Sequence, residues 1–245
     1  MADRETGGMP VQPGGGAEEA EAPSLHILAR IRSDFPTKFG IPRQSGLVEE
    51  LQATVVFAPP YRDPEALRGI AEYEYLWLIW QFSASVREGW RPTVRPPRLG
   101  GNTRMGVFAT RSPFRPNALG LSSVRLLGVE PHTPEGPILR VAGADLMDGT
   151  PIFDIKPYIP AVDAHPDARA GFAAAVPWHG LTVSFPDELL NKLPPDKRAA
   201  AIGVLENDPR PPYQRDPRRV YALPFAGFEL RFTVAEGKLD VVAVR

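Results

Sequence analysis

Along this chain, apolar positions come in short runs separated by polar and Pro- or Gly-rich punctuation, and few runs follow a helical period. Residues 26–32, His-Ile-Leu-Ala-Arg-Ile-Arg, read as a strand, followed by a Pro-punctuated loop over 33–46 and a second strand at 54–57. Asp63 is placed to cap a helix whose first position is Pro64 and which runs to about Tyr73. Residues 76–82 are continuously apolar, with Trp77 and Trp80, and predict a buried strand. Short strands are expected at 107–109, 122–129, 138–141 and 152–155, joined by loops. That pattern predicts a barrel or sandwich, not a doubly wound parallel sheet. After Pro160 the composition shifts to Ala, Pro and Asp over 161–180, which reads as a linker or covering segment. Helices are then expected at 186–190 and 195–207, and a strand at 220–224. Residues 227–234 alternate apolar and polar, the mark of a half-buried strand, and 239–244 return as its hairpin partner after a turn at 236–238.

These elements divide the chain into three parts. Residues 1–23, acidic, Gly-rich and almost without large apolar side chains, are expected to be disordered. Residues 24–165 form the strand-rich domain, and 166–245 a small α+β domain whose regular part starts near Val176. The 245 residues are 43% apolar, enough for a real core, and 29 Pro with 22 Gly favour turns and short strands. The absence of cysteine rules out disulfides, thiolate catalysis and Cys-ligated metal. His26, His132, His165 and His179 lack metal-ligand spacing, so no metal is expected. There is no phosphate loop and no G-x-G-x-x-G after a strand. The longest apolar run is far too short for a bilayer, and the first residues lack a signal peptide's apolar core, so a cytoplasmic protein with no membrane partner is expected.

Charge changes the picture. The total is −1, yet between Glu88 and Glu130 there is no acid and seven arginines: Arg91, Arg95, Arg98, Arg104, Arg111, Arg115 and Arg125. Arginine forks onto phosphate and carboxylate, so this segment predicts an anionic partner. A solvated basic loop would explain the charge alone. It would not explain the interleaved Gly and Pro, the apolar Val107 and Phe108, or the neutral hydrogen-bonding Ser112 and Asn117. A second constellation lies at 145–158, where Asp154, Lys156 and Tyr158 alternate along one strand and share a face. Such a trio is either a surface ion pair or the lining of a polar pocket.

The runs Pro42-Arg43-Gln44, residues 89–115, Pro116-Asn117-Ala118-Leu119-Gly120-Leu121-Ser122 and residues 148–158 resemble the TsaA-like family. Residues 208–213 (Asp-Pro-Arg-Pro-Pro-Tyr) and the final hairpin resemble that family's C-terminal domain, so the resemblance covers nearly everything from Leu25 onward. It implies a mainly β fold: a single-sheeted β-barrel N-terminal domain followed by a small α+β C-terminal domain. It also implies a homodimer, for which the aromatic-rich stretch 73–90 offers apolar contact area.

The implied cofactor is S-adenosylmethionine, and the implied reaction is N6-methylation of threonylcarbamoyl-adenosine beside the tRNA anticodon. Carried over by position, the cofactor residues are Pro42, Arg43, Gln44, Arg111, Leu121 and the segment Ala142-Gly143-Ala144-Asp145. Ser83 and Ala84 stand where the family can show a polar pair such as His-Gln, so only their backbones are expected to contact the cofactor. Arg43 or Arg111 can meet a carboxylate, and Asp145 can face a sulfonium. Arg91, Arg95, Arg98, Arg104, Arg115 and Asn117 are left for tRNA. Catalysis falls to Asp154, Lys156 and Tyr158, with Asp154 or Asp145 as proton acceptor. Two other functions use the same residues: a non-catalytic S-adenosylmethionine- or RNA-binding regulatory module, and methylation of a different small anionic substrate.

Overall fold

The computed structural model describes residues 24–86, 89–96, 99, 103–175, 180–211, 214 and 216–245. The expected disordered tail at 1–23 lies outside them. The first half of the chain supplies β1 (Ala29–Arg32), β2 (Gln52–Phe57), β3 (Tyr75–Gln81), β4 (Thr93–Val94), β5 (Met105–Gly106), β6 (Leu119–Glu130), β7 (Ile138–Ala142) and β8 (Pro151–Pro157). Six of these close into an antiparallel barrel in the order β1-β2-β7-β6-β3-β8, with β8 pairing back onto β1. Closure satisfies both edges of every strand. The small ribbon β4–β5 stands apart from the barrel.

The barrel interior is filled by one side chain in two from each strand: Ile31, Val55, Leu76, Leu78, Val124, Leu139, Val141 and Ile152, all essentially without solvent contact. β3 shows why its apolar run misleads. Leu76, Leu78 and Trp80 point inward, while Tyr75, Trp77 and Ile79 lie half-buried on the outer wall. The run is therefore a one-sided strand with an aromatic outer face, and periodicity cannot reveal that when both faces are apolar.

Two of the expected elements take another form. Asp63 does cap, accepting from Glu65 N at 3.0 Å, but the helix over 64–73 is two 3₁₀ turns, Pro64–Leu67 and Ile70–Glu72. Gly69 separates them at φ 82°, a left-handed backbone that ends regular helix. The strand expected at 107–109 is instead a 3₁₀ turn, Val107–Ala109, following β5. Its single buried residue, Val107, anchors the turn, so an apolar triplet there serves a turn as well as it would a strand.

The second half contains two short helices, α1 (Pro160–Asp163) and α2 (Phe172–Ala175), within the expected linker, then β9 (Thr182–Ser184), α3 (Asp187–Leu190), α4 (Pro195–Glu206), β10 (Tyr221–Phe225), β11 (Phe228–Ala235) and β12 (Lys238–Val244). These strands form a sheet in the order β10-β11-β12-β9, with β9 parallel to β12. Residue 176, where the regular part of this unit was expected to begin, lies outside the described residues. The core of this unit is not self-contained. Phe35, Val48 and Leu51, from the segment joining β1 to β2, are buried with Leu205, Leu223, Phe225 and Phe232. Phe35 meets Phe225 edge to face at 5.5 Å between ring centroids. The segment carrying Pro42, Arg43 and Gln44 is thus clamped between the barrel and the second sheet.

Candidate functional site

At one end of the barrel, β3 and β6 hold a polar chain. Trp80 lies opposite Gly120 in register, and a Cβ at residue 120 would come within 2.3 Å of the indole ring. Only glycine lets the ring lie flat there. The Trp80 Nε1–H donates to Ser122 Oγ at 2.9 Å, and Ser122 donates to Asp145 Oδ1 at 2.5 Å. The direction is fixed by chemistry: an indole N–H only donates, so the one hydroxyl proton of Ser122 is left for the carboxylate. Ser122 is buried. Removal from water pushes the Asp145 carboxyl above the ordinary carboxylate range. The Ser122 hydroxyl, the backbone N–H groups of Asp145 and Ser45 and the nearby Arg111 charge pull against that shift.

Asp145 reaches this position because the loop after β7 is tied down twice. Gly143, at φ 74°, donates its N–H to Leu51 O at 2.8 Å and accepts from Gly46 N at 2.9 Å. A Cβ on Gly143 would press on Gly46 at 3.3 Å. Gln44, two residues before Gly46, accepts a hydrogen bond from Arg111 Nη1. The structure therefore brings together Gln44, Arg111 and the Gly143–Asp145 loop, three segments far apart in sequence. Ala142 and Ala144 are buried beside them. Pro42 is also buried, and Arg43 lines a cleft of about 670 Å³ with Asp208, Arg210 and Pro211 of the second unit. Asp208 and Arg210 form a two-pronged ion pair at 2.8 and 2.9 Å.

Ser83 and Ala84 form a 3₁₀ turn directly after β3, and Ala84 O accepts from Lys38 Nζ at 2.9 Å. Leu121 points the other way from Ser122 and is 57% exposed on the outer wall. Across that wall it stands in one row with Ile79 and Asp154. Asp154 and Lys156 make an exposed ion pair at 3.1 Å, and Tyr158 packs on Trp77 at 5.4 Å between ring centroids. Asp154, Lys156 and Tyr158 are thus grouped outside the barrel, while Asp145 joins the chain running from its interior. The two carboxylates are not brought together.

Of the arginines expected to meet tRNA, Arg91, Arg95 and Arg104 are exposed, and Arg98 lies outside the described residues. Arg115 is half-buried and donates to Thr110 O at 3.1 Å. Asn117 is exposed at the turn leading into β6, where its carbonyl accepts from Leu119 N. Among the described residues no group of three or more His, Asp or Glu could hold a metal ion, and no helix is long and apolar enough to cross a membrane.

The profile of the tRNA-methyltransferase O N-terminal domain matches residues 30–164, and that of the TrmO C-terminal domain matches 179–245. The chain belongs to the tRNA-methyltransferase O family. It is 42% identical over 222 residues to the Escherichia coli tRNA (adenine(37)-N6)-methyltransferase, spanning 87% of this chain and 94% of that one. It is 40% identical over 208 residues to a Pseudomonas aeruginosa protein named for S-adenosylmethionine-dependent methyl transfer, 82% of this chain and 87% of the relative. A crystal structure of TrmO from Pseudomonas aeruginosa superposes with a TM-score of 0.75 at 33% identity, covering 93% of this chain and 99% of that one. Two residues of the polar chain, Trp80 and Ser122, lie inside the stretch that matches the tRNA-methyltransferase O family and carried no signal as separate positions. The available hint was a serine between Gly120 and Val124 on the inward side of a strand, where an unsatisfied hydroxyl would be costly.

Proposed function

We propose that this chain is an S-adenosylmethionine-dependent tRNA methyltransferase acting on N6 of adenosine 37, with threonylcarbamoyl-adenosine as its substrate. The observation that carries this reading is the Asp145 carboxylate, held by Ser122 at 2.5 Å next to the Arg111–Gln44 pair, within a fold shared with tRNA adenine(37)-N6-methyltransferases. These residues suit the cofactor. A desolvated carboxylate complements a cation, the Arg111 guanidinium complements an amino-acid carboxylate, and the Gly46–Gly143 hydrogen bond holds in place the loop that carries Asp145. When bound, S-adenosylmethionine supplies an activated methyl group.

The remaining work falls to this chain. Pro42, Arg43, Gln44, Arg111, Leu121 and residues 142–145 bind and orient the cofactor, with Ser83 and Ala84 contributing backbone groups. Arg91, Arg95, Arg98, Arg104, Arg115 and Asn117 bind tRNA phosphates and the carboxylate of the modified base. Asp154, ion-paired with Lys156 and in the same outer row as Leu121, accepts the N6 proton. Tyr158 offers a phenolic donor beside them. Residues 24–165 and 166–245 serve as the two domains, and the enzyme works as a cytoplasmic homodimer. The exposed Leu121 of the outer wall and Ile159 and Val162 of the α1 segment favour self-association.

Purified protein with S-adenosylmethionine and threonylcarbamoylated tRNA is expected to yield a methylated nucleoside, while tRNA lacking the modification stays unchanged. Equal methylation of both tRNAs, or of neither, contradicts this substrate.

A further inference from the structure

The β4–β5 ribbon holds two aromatic rings in water. Phe108 is 72% exposed and Trp90 51%, and their centroids stand 6.0 Å apart at a tilt of 36°. The backbone fixes this arrangement. Thr93 pairs with Gly106 and Val94 with Met105, and Val107 N donates to Pro92 O at 2.9 Å, which brings the two limbs side by side. Val107, 1% exposed, anchors the turn from below, and Thr110 closes it with a hydroxyl bond to Val107 O at 2.8 Å. The turn thus buries its valine and presents its phenylalanine outward, where the ring meets Trp90 and water.

We propose that Trp90 and Phe108 form a stacking platform for an unpaired RNA base. This rests on the tRNA-methylating reading above and deepens it. Charge selects the occupant. Arg91, Arg95 and Arg104 flank the two strands of this ribbon and are exposed, and the segment from 89 to 129 carries seven arginines and no acid. A phosphate backbone complements that field, whereas self-association through this same face would set its arginines against one another. The geometry selects a platform over a slot. Holding a base between two rings needs about 6.8 Å between their planes, twice the nucleotide stacking spacing of about 3.4 Å. Rings tilted at 36° with centroids 6.0 Å apart leave no such gap, so a base lies on their outer face. Stacking reads no sequence because every base has a π-face, so the platform takes a loop nucleotide splayed from the anticodon loop near the target adenosine.

The test compares Phe108→Ala, Trp90→Ala and Phe108→Trp with the wild type. Binding of an RNA stem-loop bearing threonylcarbamoyl-adenosine is measured across a salt series, with the same stem as a blunt duplex for comparison. The alanine variants are expected to lose roughly five- to a hundredfold in stem-loop affinity. Duplex affinity, S-adenosylmethionine affinity and the salt slope stay unchanged, because the phosphate contacts remain. Phe108→Trp restores stem-loop binding. Since both side chains are exposed, the variants fold, and circular dichroism checks this. Stem-loop affinity within twofold of wild type in both alanine variants overturns the platform while leaving methylation standing. A change of oligomeric state in the alanine variants with unchanged RNA binding overturns it in favour of self-association. Failure of the wild type to bind the stem-loop overturns both readings.

Discussion

Arg111 leaves the 3₁₀ turn at Val107–Ala109, reaches Gln44, and lies close enough to Asp145 to oppose the desolvation of its carboxyl. A planar fork can serve several such partners; an ammonium cannot. Charge-assisted hydrogen bonds contribute about 1.5–3 kcal/mol, so Arg111→Lys and Arg111→Ala are each expected to lower cofactor affinity or methylation rate roughly ten- to a hundredfold. Arg125, exposed on β6 opposite Tyr75, is the control, and Arg125→Lys is expected to be silent. Calorimetric titration with S-adenosylmethionine checks both. Asp145 adds a pH signature. Its folded pKa is raised, so the native state keeps this proton to higher pH than the unfolded chain does. The stability tied to that proton is complete below the unfolded pKa and is lost as pH rises through the folded one. Asp145→Asn is therefore expected to raise the melting temperature of the ligand-free protein above about pH 4 and flatten its decline with pH, while weakening cofactor binding. Melting curves at several pH values read the first effect and titration the second.

β3 and β6 fit each other through one missing side chain. Trp80 occupies the space above Gly120, so Gly120→Ala must push the strands apart or expel the indole from Ser122. Overpacking of this kind costs about 1–3 kcal/mol. Thermal unfolding should fall by roughly 2–4 °C per kcal/mol, with cofactor binding reduced as Asp145 loses its anchor. Gly128, on the same strand with no atom within 4 Å of an added Cβ, should accept alanine within about 0.5 kcal/mol. Elements whose code is local were legible in sequence. The β11–β12 hairpin was readable because its apolar and polar residues alternate around a Glu-Gly-Lys turn. The Asp63 cap was readable too, but the helix beyond it was not, because Gly69 breaks it. β9 was missed because three residues pairing in parallel with β12, more than fifty positions away, leave no local periodicity. The site was legible in part for the same reason. Gln44, Arg111 and Asp145 stood out through their motifs, whereas Ser122 gains its role only from Trp80 across the strand pair.

At the scale of the molecule, the barrel and the second sheet share a core through Phe35, Val48 and Leu51, which also fixes the ends of the segment bearing Arg43 and Gln44. The residues proposed to bind the cofactor are therefore held by both halves of the chain. Leu121 on the outer wall and Ile159 and Val162 of the α1 segment are exposed apolar side chains, and the proposed self-association rests on them. Light scattering at micromolar concentration is expected to give about twice the chain mass of 26.8 kDa, and a fully active monomer contradicts the dimer. The central claim is methylation at N6 of the threonylcarbamoylated adenosine beside the anticodon. Its most direct test is mass spectrometry of tRNA nucleosides from cells with and without this protein. N6-methylated threonylcarbamoyl-adenosine is expected to disappear in its absence and to return with the wild-type chain but not with Arg111→Ala. Undiminished methylated nucleoside in the deletion strain would contradict it.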